Sequence, residues 1–79
     1  MSDYVPQTGD FVTHVGPSMH APLYICVTRA MITQVNSPTN VNLLREDESG
    51  VCRLPAYGQE RLGDGIALGW RPRPEWVLP

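Results

Sequence analysis

The chain has 79 residues with six arginines, no lysine and eight acids, for a formal charge of −2. A chain of this length is one domain with a thin core: it buries only about 60–65% of the surface its unfolded form exposes, and about 5 kcal/mol of net stability is the expectation. The acidic balance speaks against a sequence-blind nucleic-acid binder, which needs a net basic face.

Residues 1–8 are short, polar and interrupted by Pro6, and read as a lead-in to a single domain over 9–79. Gly9-Asp10 marks a turn. Phe11-Val12-Thr13-His14-Val15 follows as a first strand, with Phe11, Thr13 and Val15 on one face and Val12 and His14 on the other. Gly16-Pro17 stops it, and residues 16–22 form a loop by composition, with Met19 and His20 at its tip. Leu23-Tyr24-Ile25-Cys26 then leads into the organising strand, which runs to Val35 and is the longest stretch free of Gly and Pro. Ala30, Ile32 and Gln34 share one of its faces, and Met31, Thr33 and Val35 the other. Its Val27, Thr28, Ile32, Thr33 and Val35 favour strand over helix.

Asn36–Asn40 is a loop. Val41–Arg45 is a third strand with Val41, Leu43 and Arg45 on one side, and Glu46–Gly50 is a solvated hairpin connection whose Gly50 fits a left-handed position. Val51–Leu54 returns as a fourth strand, with Pro55 placing its end at a sheet edge. The glycine-rich stretch from Ala56 to Gly69 suggests one short helical turn around Gln59–Leu62. Trp70 starts the final element, and Trp76-Val77-Leu78 makes a short closing strand. Short strands, Gly/Pro turns and almost no helix predict an all-β fold, and five strands in this length fit a small SH3-like five-stranded barrel best.

Cys26 and Cys52 sit in predicted strands as small apolar side chains. Met1-Ser2-Asp3-Tyr4 lacks a basic segment and no apolar run follows, and no stretch approaches a membrane span, so the reading expects a cytoplasmic protein with reduced thiols.

The order of motifs carries a resemblance. A strand ends in His14-Val15 and a variable loop follows. Arg29–Val35, Val41-Asn42-Leu43, a Gly50-centred hairpin and Gly69-Trp70 near Pro74-Glu75 come next. This resembles a group of small uncharacterised proteins encoded by bacteriophages and prophages, especially of actinobacteria. The resemblance spans roughly residues 9–77 and implies a phage-type accessory protein, with no established activity to carry over. The chain departs from it where Arg71-Pro72 follows Trp70 in place of a second aromatic.

The most unusual stretch is Trp70-Arg71-Pro72-Arg73-Pro74-Glu75-Trp76. Both arginines precede prolines, which biases them to extended conformations and makes the segment a stiff arm. Two pre-set guanidinium groups beside an indole can grip a phosphate and stack on a base. The plainer alternative has the tryptophans closing the core, with the arginines over them and pairing with Glu75. Arg29, mid-strand, either pairs with an acid such as Asp10 or points into a groove and binds an anion. His14 and Tyr24 complete the expected ligand set as hydrogen-bonding and stacking groups.

Two His and two Cys match no tight zinc spacing, no nucleophile motif is present, and Gly63-Asp64-Gly65 lacks the spacing and lysine of a phosphate loop. Glu46-Asp47-Glu48 is a solvated turn rather than a calcium loop. The expectation is therefore a non-enzymatic binding protein without cofactor or metal. It would sequester a small anionic, nucleotide-like ligand as a counter-defence protein, through Arg71, Arg73, Trp70, Arg29, His14 and Tyr24. The alternative is a structural or protein-interaction role, as a virion component or an inhibitor of a host protein. A domain this small also gains from forming a homo-oligomer.

Overall fold

The structure, a computed structural model, describes residues 4–18, 24–63, 65 and 67–73. It is all-β among those residues: β1 (Phe11–Pro17), β2 (Ile25–Val35), β3 (Asn40–Glu46), β4 (Cys52–Glu60) and β5 (Gly69–Arg71). They form one antiparallel sheet in the order β4-β3-β2-β1-β5. The first four strands are a meander, and the last returns to lie beside the first, the order a small SH3-like fold requires. A single bridge between Arg61 and Trp70 joins the two ends of the sheet, so the barrel is curled but not closed. No helix of the described residues is long and apolar enough to cross a membrane.

Strand alternation sorts the residues onto two faces. On β1, Val12, His14 and Gly16 are buried while Phe11, Thr13 and Val15 face outward. Ala30 and Ile32 of β2, Val41 and Leu43 of β3 and Trp70 of β5 complete the inner face, which is the core. Burying a side chain of the size of Ile32 or Leu43 stabilises the fold by about 1.5–3 kcal/mol.

The predicted faces of β2 hold only to Ile32. A bulge between Ile32 and Gln34 shifts the register, so that Gln34 pairs with Asn42 and Val35 with Val41, and Gln34 lies exposed rather than continuing the buried row. The fourth strand is also longer than expected. It runs through Pro55 and Ala56 to Glu60, so no helical turn forms at Gln59–Leu62. Proline is tolerated inside it because β4 is an edge of the sheet. Trp76–Leu78 lies outside the described residues.

The β3–β4 hairpin is organised by Asp47. Its carboxylate accepts from the Ser49 hydroxyl (2.7 Å), the Ser49 amide (2.9 Å), the Val51 amide (3.1 Å) and the Arg53 guanidinium. These donors, the Ser49 hydroxyl foremost, hold the carboxyl well below its usual range. Gly50 takes a φ of +83°, the left-handed position that closes the turn.

At the other end the core is capped. The Trp70 indole is fully buried, and its Nε1 donates to the Thr39 carbonyl at 3.0 Å. Tyr4 from the lead-in packs edge-on against it, with ring centroids 6.1 Å apart, and Arg61 lies over the indole at 5.5 Å. The Tyr4 hydroxyl donates to Asp10 at 2.5 Å; burial, and then this bond to a carboxylate, push its pKa up.

Candidate functional site

The inner row of β2 does not end with the core. Past Ala30 it continues through Thr28 and Cys26, where none of the described side chains fills the interior. β5 is three residues long and reaches β1 only from Thr13 to Val15. The result is a cavity of about 610 Å³ among Cys26, Thr28, Arg45, Leu54, Arg53 and the β3–β4 hairpin, with Pro17 and Ser18 on the opposite rim. That volume lies within the range of small-molecule sites.

Arg45 dominates the floor. It sits on β3 opposite Ala30, in phase with the buried Val41 and Leu43, so its side chain starts from the core side of the sheet. Its Nη1 donates across the interior to the Pro17 carbonyl at 3.2 Å. The Thr28 hydroxyl, buried on the neighbouring strand, has no hydrogen-bond partner. A buried polar atom in this condition costs about 1–3 kcal/mol, and an oxyanion beside Arg45 that accepts from it would satisfy it. Three acids share the wall: Asp47 holds Arg53, Glu46 lies 3.5 Å from Arg29, and Glu48 is exposed.

The six residues singled out in the sequence are distributed rather than gathered. Trp70 is core, with no exposed ring face on which a base can stack. His14 is buried with its Nε2 2.9 Å from the Gln59 side-chain oxygen. Because the Gln59 amide nitrogen donates to the Tyr57 carbonyl, Gln59 must accept here, and the neutral imidazole carries its proton on Nε2. Burial, partly countered by the Gln59 bond, holds the His14 pKa down. Arg29 pairs not with Asp10 but with Glu46; it also donates to the Gly50 carbonyl at 3.1 Å and lies over Phe11. Asp10 is taken by Tyr4 instead. Arg71 is exposed on the outer face, paired with Thr13. Arg73 is half-buried beyond β5, and the rest of the arm, Pro74 to Trp76, lies outside the described residues.

Tyr24 is near the cavity in the chain but is not in its lining: its carbonyl accepts from the amide of the rim residue Ser18 at 2.9 Å, and the residue is 71% exposed. Arg45, Thr28 and Cys26 were missed as site residues. The signal for Arg45 was an arginine in the phase of the Val41–Leu43 core row.

No protein family, no curated protein and no solved structure matches this chain.

Proposed function

We propose that the protein is a non-enzymatic binding module that takes up a small anionic, nucleotide-like ligand in the inner-face cavity. The observation that carries this reading is the floor: the buried Thr28 hydroxyl, without a hydrogen-bond partner, beside the Arg45 guanidinium and a 610 Å³ space. Arg45 supplies the charge-assisted contact to the anion. Arg53, paired with Asp47, forms the side of the cavity, and Tyr24, exposed next to the Ser18 rim, offers a ring for a planar group. Among the described residues no histidine lines the cavity, and the His14 proton is committed to Gln59. With the resemblance to phage-encoded proteins, this chemistry supports a counter-defence role in the host cytoplasm, sequestering a nucleotide-like signal.

Titration calorimetry with inorganic phosphate, nucleoside mono- and diphosphates and short dicarboxylates tests the reading. At least one nucleotide should bind the parent protein, Arg45→Gln should weaken it by about tenfold or more, and Arg71→Ala should leave it unchanged. If the whole panel fails to bind, or if Arg45→Gln binds as the parent does, the cavity is not this site.

A further inference from the structure

We propose that the opening between β1 and β4 is built to refuse a β-strand, which keeps the protein monomeric and leaves the cavity to a small molecule. The sheet ends in two edges, β4 and β5. β5 pairs with β1 only to Val15, so among the described residues Gly16 and Pro17 take a strand partner from β2 alone. β4 takes its ladder from β3 alone. These two free edges confront each other across the cavity, with Pro17 and Ser18 on one rim and Arg53 and Leu54 on the other. Unpaired edges on either side of a gap are a template for an added strand, from a second copy or from another protein.

Proline stands at an outward-facing position on each edge. The Ser18 amide donates to the Tyr24 carbonyl at 2.9 Å, so the adjacent pair, Pro17 with Ile25, is one that exchanges no hydrogen bonds. The Pro17 carbonyl therefore turns away from β2 into the opening, where it accepts from Arg45 Nη1 at 3.2 Å, and the residue has no N–H to offer. On β4, Pro55 stands opposite Leu44. Lacking an N–H, it too belongs to a pair without hydrogen bonds and turns its carbonyl to the free edge. The β4 ladder is irregular on both sides of it, between Leu54 and Cys52 and between Ala56 and Gln59, and bulges of this kind bend a strand away from the line a partner would follow. A chain laid along either edge thus meets proline where it needs a donor. A compact ligand needs none of these groups, because the donors of the floor are the side chains of Thr28 and Arg45. Refusal of a strand is a property of the edges whether or not the cavity takes an anion.

Sedimentation equilibrium and native mass spectrometry of the full chain test the assignment. The parent should be monomeric at hundreds of micromolar. Pro17→Val combined with Pro55→Val, both at exposed positions, supplies an outward N–H on each edge and should self-associate at a concentration at least tenfold lower. Hydrogen exchange should find the amide at position 55 protected on association. Pro38→Val, exposed in the β2–β3 loop and away from both edges, should stay monomeric. Circular dichroism confirms that each variant folds, and Pro55→Val alone carries the same comparison if the combined variant does not. A parent that associates, a folded combined variant that stays monomeric, an associated variant with position 55 unprotected, or a Pro38→Val variant that associates equally would each overturn the proposal.

Discussion

The two ends of the inner face use the same strands and finish differently. At one end, Ala30 and Ile32 of β2 face Val12, Leu43 and the Trp70 indole, and every polar group there is spent: Trp70 Nε1 on Thr39, His14 on Gln59, Tyr4 on Asp10. At the other, Cys26 and Thr28 of the same strand face a cavity, and Thr28 Oγ1 has no hydrogen-bond partner. The three residues of β5 set a tryptophan into one end, and none of the described side chains fills the space over Cys26 and Thr28 at the other. In so small a domain the filled end carries the burial that stabilises the fold.

The largest effect should come from unplugging the filled end. Trp70→Ala removes the largest fully buried side chain and leaves Thr39 and Tyr4 without their partner. Truncations of this kind cost about 3–5 kcal/mol, comparable with the roughly 5 kcal/mol expected for the whole fold. Gly69→Ala should be nearly as damaging. Gly69 has a φ of +151°, and a Cβ there would stand 2.0 Å from the Glu60 carbonyl oxygen, so the crossing of β4 and β5 would have to open. Urea denaturation should find both variants largely unfolded at room temperature; a parent-like midpoint for Trp70→Ala would mean that the indole is not the plug.

At the open end the sign should reverse. Thr28→Val keeps the shape and removes a buried hydroxyl with no partner. Native stability should rise by about 1 kcal/mol, since an unsatisfied polar group costs about 1–3 kcal/mol, while the affinity for the anionic ligand should fall. A single substitution that strengthens the fold and weakens binding would mark the two ends as serving different purposes. Loss of stability on Thr28→Val would instead show that the hydroxyl is already satisfied in solution, and the contrast between the ends would narrow.

Much of the architecture was legible because it depends on alternation and punctuation. The β-branched run of β2, the phase of Val12 and His14, Gly50 in the hairpin and Pro55 at an edge are local signals, and each is where the sequence puts it. What failed was not local. The bulge after Ile32 depends on how Asn42 and Val41 pair across strands, and β4 continues to Glu60 because β3 offers it a partner, against the helical propensity of Gln59–Leu62. Composition drew attention to the Arg-Pro arm, whereas a cavity is defined by what does not fill it, and no residue type announces the space that the described residues leave over Cys26 and Thr28. Arg45 was visible only as an oddity of phase, a charged side chain in the row of Val41 and Leu43.

The smallest effect concerns the one buried titratable group at the filled end. Burial holds His14 neutral and its pKa below the ordinary 6.5, with the charge of Arg45 acting in the same direction and the Gln59 bond opposing them. The unfolded chain therefore takes up the proton first as pH falls, so the contribution of His14 to stability is intact above about pH 6.5 and is lost as pH drops through the folded-state value. Urea midpoints should be flat from pH 8 to 7 and decline below 6.5. His14→Gln cannot titrate and should remove the decline attributable to this ring, whatever it does to the midpoint itself. Loss through Asp47 belongs to a separate window: its carboxyl is held low, so its share is present above pH 3.8 and disappears only in stronger acid. A decline below pH 6.5 that persists in His14→Gln would place the sensitive group elsewhere. If it vanishes, protonation weakens the filled end through His14–Gln59, which spans the interior from β1 to β4 and ties the two sides of the curled sheet together.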